Sequence, residues 1–166
     1  APPWTSLRTL EAASWKVQDE STDDDAAREK WLKLLMAPGS SLGGARPKCG
    51  VTDPDGALWI AKFPARTDDC DHAAWEMLVH QLATAAGLKV PAARLEKLTR
   101  RHRTFLVKRF DRGARGSRIH FASAMTMLAR GDGADAAAGA SYLDIAEFIL
   151  RHSHRADADL EELWRR

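Results

Sequence analysis

The sequence predicts an α+β fold: a small antiparallel sheet with a helix packed on it, flanked by helices at both ends. Three observations carry this. Short strand-like runs bounded by turn residues lie between positions 49 and 110. The clearest helical pattern, residues 71–87, interrupts them. Helical periodicity then appears on either side of that block, at 6–17 and 24–36 before it and from 142 onward after it.

Each element has its own signal. Leu7, Leu10, Ala13 and Val17 recur at helical spacing, as do Ala27, Trp31, Leu34 and Leu35. Asp23, Asp24 and Asp25 stand where a helix N-terminus favours negative charge, and Pro38 and Gly39 end the second helix. Residues 38–48 form a glycine-rich loop. A hairpin follows, with strands at 49–52 and 57–63 around the turn Asp53-Pro54-Asp55-Gly56. In 71–87, Trp75, Leu78, Leu82 and Ala85 share one face, expected to be the buried one, and Gly87 stops the helix. Strands at 90–98 and 104–110 are joined by the basic turn Arg100-Arg101-His102-Arg103, and 118–121 is a further short extended piece. The Gly/Ala/Asp tract 131–141 is a loop, 142–152 an amphipathic helix, and a last helix opens at Asp157 or Asp159. Core packing accounts for Trp15, Trp31, Trp75 and Trp164.

Composition narrows the function classes. The 166 residues are one domain's worth of chain, and 45 % hydrophobic with 29 % charged residues excludes a disordered protein. No apolar run approaches the ~20 residues of a membrane span and no secretory leader opens the chain, so a cytoplasmic protein is expected. Cys49 and Cys70 have no CxxC spacing and no histidine arrangement typical of zinc, and are read as free thiols with no metal site. The net charge of +2 says little, but its distribution is uneven. Across 94–120, eight arginines with Lys97 and Lys108 face only Glu96 and Asp111. That stretch is either a surface for nucleic acid or another polyanion, or a solvated strand edge blunted by charge.

The candidate chemistry centres on a lysine. Strand 57–63 places Ala57, Trp59, Ala61 and Phe63 on one face and Leu58, Ile60 and Lys62 on the other. Both faces are apolar but for Lys62, so its ammonium either meets a carboxylate or phosphate or snorkels to solvent. Glu76, fourteen positions on, flanks the apolar face of helix 71–87. A strand lysine and a helix glutamate so placed position nucleotide phosphates in kinases. Gly43 and Gly44 let backbone N–H groups converge on an anion, and Lys48 adds charge. The loop is neither a Walker A motif nor GxGxxG. Two weaker sets, His152 with His154 and His120 with Ser123, lack the supporting groups of a metal site or a hydrolase.

Taken in order, Ser41-Leu42-Gly43-Gly44-Ala45-Arg46-Pro47-Lys48, Trp59-Ile60-Ala61-Lys62-Phe63-Pro64, Glu76 and Val107-Lys108-Arg109-Phe110-Asp111-Arg112 resemble the HipA family over roughly residues 37–166. These are bacterial serine/threonine kinases with a kinase-like fold, many of them toxins of toxin–antitoxin pairs. The resemblance implies an N-terminal helical segment at 1–36, a kinase-like ATP-binding lobe at 37–112, and the helical start of a truncated C-terminal lobe at 113–166. By the same resemblance, Gly43, Gly44 and Lys48 cover the ATP phosphates, Lys62 contacts them, and Glu76 holds Lys62. Val107, Lys108 and Phe110 line the adenine pocket, and Ser41, with Ser40 beside it, matches the serine that relatives phosphorylate on themselves. Where many relatives carry Gln, this loop carries Arg46.

The family's catalytic loop and its metal-binding Asp have no counterpart here, since no Asp-x-His-x-x-Asn pattern occurs. Both ends of the sequence read as cuts within a longer polypeptide, and no catalytic residue is assigned to this chain. ATP and Mg²⁺ are the cofactors implied for the intact protein. Its implied partners are a protein with a Ser or Thr acceptor, a HipB-like antitoxin, and DNA, reached through that antitoxin or through the basic stretch. Leu160, Leu163 and Trp164 form an apolar patch, and self-association is expected. The alternative reading is a non-catalytic module that grips nucleic acid or an acidic partner with residues 94–120.

Overall fold

In the computed structural model, which describes residues 1–19, 29, 33, 46–113 and 117–166, the chain is α+β, as its sequence predicts. A 3-10 turn at Trp4–Ser6 leads into α1 (Leu7–Val17). Four strands, β1 (Lys48–Thr52), β2 (Leu58–Lys62), β3 (Ala93–Glu96) and β4 (Thr104–Lys108), form one antiparallel sheet in the order β1-β2-β4-β3. Helix α2 (His72–Ala85) connects β2 to β3. Three further helices, α3 (Ala124–Met127), α4 (Tyr142–His152) and α5 (Ala156–Arg165), complete the described chain. No helix among the described residues is long and apolar enough to cross a membrane.

The alternation in the strands decides which helix covers which face. Cys49 and Val51 of β1, Trp59 and Ala61 of β2 and Leu106 of β4 are buried and point to one side, where Leu7 and Leu10 of α1 meet them. Lys48 of β1, Ile60 and Lys62 of β2, and Phe105 and Val107 of β4 point to the other side, toward α2. The sheet therefore lies between α1 and α2. The sequence assigned no role to residues 1–36, yet α1 supplies one wall of the core. Its Glu11 is fully buried, and Glu11 Oε2 accepts a 2.6 Å hydrogen bond from Thr104 Oγ1 on β4.

Local chemistry sets the element ends. Asp53 Oδ1 accepts from the N–H groups of Asp55 (3.1 Å) and Ala57 (2.7 Å), and Gly56 takes φ +81°, so the β1–β2 turn closes as its Asp-Pro-Asp-Gly sequence predicts. Asp71 caps α2 by accepting from Ala74 N–H at 3.0 Å. At the other end Gly87 adopts φ +78°, and Leu88 and Gly87 N–H donate to Ala83 and Thr84 carbonyls, a Schellman ending. Ser141 and Asp144 make a reciprocal capping box at the start of α4.

Several expectations need correction. The face of α2 that carries Trp75, Leu78 and Leu82 is not buried; Trp75 is 61 % and Leu82 60 % exposed. The stripe turned to the sheet is Ala73, Glu76, Met77, His80 and Ala83, all half-buried. A charged Lys62 and the Phe105 ring on the sheet are matched by Glu76 and His80, so polar side chains take the inward positions that apolar periodicity assigns to leucine. Nor is Trp164 a core residue, at 89 % exposed, whereas Trp15 is half-buried under the Arg101 guanidinium. The strands expected at 90–98 and 104–110 are shorter, and at 118–121 there is only a single bridge, Arg112 to Arg118. Helix α3 was not expected. Ser123 begins it by accepting from Thr126 N–H at 3.1 Å, so that hydroxyl acts as a cap. Of the helix expected at 24–36, Glu29 and Lys33 are described; both are helical and ion-paired at 2.7 Å. Trp31 lies outside the described residues.

Candidate functional site

The site is built at one end of the sheet, on the face toward α2. Lys62 is the last residue of β2, where its Cα pairs with Lys48 on β1 and with Phe105 on β4. Because paired residues point to the same side, two lysines stand directly opposite one another. Like charges so placed repel. Burial lowers the Lys48 pKa, and the neighbouring charges of Lys62 and Arg46 lower it further, against an opposing pull from Glu76.

The helix answers from across the gap. Glu76 lies one turn into α2 on its sheet-facing stripe, and its Oε1 accepts a hydrogen bond from Lys62 Nζ. The two side chains keep 31 % and 39 % of their surface in solvent, so the pair is reachable by a ligand. The Lys62 ammonium also lies 5.5 Å from the centre of the Phe105 ring, a cation–π contact that fixes its direction. Phe105 is in turn held edge-on by His80, whose Nε2 donates to the Pro91 carbonyl at 2.6 Å. The lysine is thus aimed by a carboxylate, a ring and the histidine behind that ring.

Beside the pair is a cavity of about 160 Å³ lined by Lys62, Glu76, Arg46, His102 and Arg103. It is smaller than the ~300–1,000 Å³ of ordinary small-molecule sites, and has room for a phosphate-sized group rather than a nucleoside. Arg46 is tethered to Asp68, whose Oδ2 also accepts from the Ala65 N–H at 2.8 Å. Burial would raise the Asp68 pKa, but the Arg46 and Ala65 hydrogen bonds outweigh it and hold the carboxyl below its ordinary range. Asp71 behaves alike: the Arg103 and Ala74 bonds overcome burial and keep it ionised. The cations near the cavity are therefore fixed in place by buried or half-buried carboxylates.

The remaining sequence-predicted residues fall in three groups. Ser41, Gly43 and Gly44 lie outside the described residues. Val107 shares the Lys62 face, paired with Ile60. Lys108 pairs with Trp59 on the α1 side. Desolvation would raise the Asp53 pKa there, but the Trp59, Ala57 and Asp55 hydrogen bonds, with a smaller part from the Lys108 charge, hold it below its ordinary value. Lys108 N–H donates to Ala92 O (2.8 Å) and Arg109 N–H to Leu58 O (2.9 Å), so these backbone donors are used inside the fold. Phe110 is exposed and packs edge-on against Phe121 at 5.0 Å between ring centres. Phe121 was not singled out from sequence, and only its contact with Phe110 marks it.

Arg94, Arg103, Arg109 and Arg112 of the basic stretch are committed within the chain. Arg94 lies over the Trp4 and Trp59 rings, at 5.6 and 5.3 Å. Arg103 bonds Asp71, while Arg109 and Arg112 both grip the buried Asp111. Asp111 is held well below the usual carboxylate range, chiefly by the Arg109 hydrogen bond. Tyr142, Leu143, Leu160, Leu163 and Trp164 line an apolar groove of about 560 Å³ between α4 and α5.

The thiols differ in exposure. Cys49 is buried in the core, which pushes its pKa up to about 12, whereas Cys70 lies half-exposed in the loop before α2. The Cys70 pKa is also raised, by desolvation first and then by the Asp69 hydrogen bond and the Asp69 and Asp68 charges. No histidine partner was expected for either cysteine, but the fold brings His72 and Asp69 to Cys70. The Cys70-x-His72 spacing was the available signal.

A family model described as the HipA-like C-terminal domain matches residues 40–166. No curated protein and no solved structure gives a significant match to the chain.

Proposed function

The chain belongs to the HipA-like family, and from that premise we propose that the sheet face bearing Lys48, Lys62 and Glu76 binds the phosphates of ATP. The observation that carries this reading is the facing pair Lys48 and Lys62, with Glu76 bonded to one of them. Two ammonium groups opposite one another are an electrostatic liability that a polyphosphate relieves. Lys62 contacts the phosphates, Glu76 keeps its ammonium aimed, and Lys48 neutralises further charge. Gly43 and Gly44 are proposed to offer backbone N–H groups, and Ser41 is the self-phosphorylation candidate. Val107 and Phe110 provide apolar surface for the base.

Bound ATP carries the γ-phosphoryl group that HipA-like kinases transfer to a Ser or Thr hydroxyl of a protein substrate. This chain's own residues bind and orient; no general base and no magnesium ligand is assigned to it. The activity proposed for this family member is that of a serine/threonine kinase of the toxin–antitoxin kind. A HipB-like antitoxin is proposed as its partner, and DNA is reached through that antitoxin. The commitment of Arg94, Arg103, Arg109 and Arg112 to internal contacts favours this over a nucleic-acid grip by residues 94–120.

The test is a titration of the chain with Mg-ATP followed by backbone amide NMR. Shifts clustered at Gly43, Gly44, Lys48, Lys62 and Val107 are expected. No shifts at millimolar nucleotide would overturn the reading.

A further inference from the structure

We propose that Asp69, Cys70 and His72, backed by the buried Asp68 carboxylate, form a binding site for a thiophilic divalent metal ion of the zinc class. The donor atoms of Asp69, Cys70 and His72 all lie within 4.8 Å of one another. A tetrahedral ion with bonds of about 2.0–2.3 Å holds its donors about 3.3–3.8 Å apart. His72 Nε2 already stands 3.8 Å from Asp69 Oδ1 and 3.8 Å from Asp68 Oδ1. Asp68 cannot swing away. Its side chain is only 5 % exposed, and Oδ2 is held by Arg46 and by the Ala65 N–H, which leaves Oδ1 directed at His72. The exposed Asp69 and the half-exposed Cys70 close the remaining gap by side-chain rotation.

Charge and ligand type agree with the geometry. Asp68 and Asp71 each have an arginine partner, Arg46 and Arg103. The Asp69 carboxylate and the Cys70 thiolate then supply the two negative charges that balance a divalent ion. On binding, the Cys70 S–H bond breaks, its proton goes to solvent, and the sulfur pair forms the bond to the metal, with no change of oxidation state. A thiolate with an imidazole selects a zinc-class ion over magnesium or calcium, whose preferred ligands are oxygen. An ion here ties the loop leaving β2 to the first turn of α2, the helix that carries Glu76. Asp68 and His72 also line the cavity beside Lys62 and Glu76, but the inference does not rest on the nucleotide reading, because neither is assigned to phosphate.

Cobalt(II) alone, added to the full chain without nucleotide, reports the site by absorption. One equivalent is expected to bind with a thiolate-to-cobalt charge-transfer band. Cys70→Ser abolishes the band, and His72→Ala weakens binding by at least the ~10-fold that loss of even an outer-shell partner costs. Zinc(II) also slows alkylation of the accessible thiol, which is Cys70, since Cys49 is buried. Absence of the band at millimolar cobalt, or binding unchanged in both variants, overturns the proposal.

Discussion

Lys62→Met separates what the lysine does for the fold from what it does for a ligand. The Lys62–Glu76 pair is about one-third exposed on each side. A pair so placed contributes about 0.2–1 kcal/mol to stability, because solvent screens it. Methionine keeps the apolar stem against Phe105 and the strand position, so the variant is expected to lose no more than ~1 kcal/mol. A hydrogen bond from an ammonium to a phosphate, by contrast, is worth about 1.5–3 kcal/mol, or a 10- to 150-fold change in dissociation constant. Urea unfolding gives the first quantity, and calorimetric titration with Mg-ATP gives the second. Glu76→Gln serves as a companion, leaving the lysine charge but weakening its aim, and falls between wild type and Lys62→Met in affinity. A variant that loses more than ~2 kcal/mol of stability while binding nucleotide as well as wild type would refute the argument. Lys62 would then be a structural cation.

Other outcomes follow from the same geometry. Leu10→Ala removes a fully buried side chain between α1 and the sheet, and is expected to cost about 2–5 kcal/mol in urea unfolding; a loss below ~1 kcal/mol would mean that α1 is not a wall of the core. Thr104→Val strands the buried Glu11 carboxyl, whose Oε1 already has no partner among the described residues, and costs about 1–3 kcal/mol, whereas the double variant Glu11→Met/Thr104→Val recovers most of that. Asp111 has a depressed folded-state pKa, so its contribution to stability is present above its unfolded value of about 3.9 and is lost as pH falls through the folded one. Asp111→Asn is therefore expected to destabilise the protein at pH ~7 and to flatten the acid limb of a stability–pH curve, and an unaltered limb would remove Asp111 from that role.

Much of this architecture was written locally. The Asp53–Gly56 turn, the Gly87 ending and the span of α4 depend on neighbours within a few residues, and each was legible in sequence. The lysine and glutamate were legible for another reason: a lone charge in an otherwise apolar strand demands a counter-charge, and Glu76 stood on the nearest helix. The inward face of α2 was not legible, because periodicity locates an apolar stripe without saying whether this chain covers it. Trp75 and Leu82 form such a stripe, and both remain exposed.

The sequence by itself determined the fold class, the four sheet strands and the helices that begin near 7, 72 and 142, the Asp53–Gly56 turn, the Gly87 ending, and the family kinship. Those properties rest on short-range chemistry and on motif order. Only the tertiary structure decided that α1 closes the core and that Lys48 faces Lys62. It also committed Arg94, Arg103, Arg109 and Arg112 of the basic stretch to internal contacts and gathered Asp69, Cys70 and His72. Each of these depends on strand register or on the path of a loop between packed elements, which is settled when the whole core closes and not by any one segment.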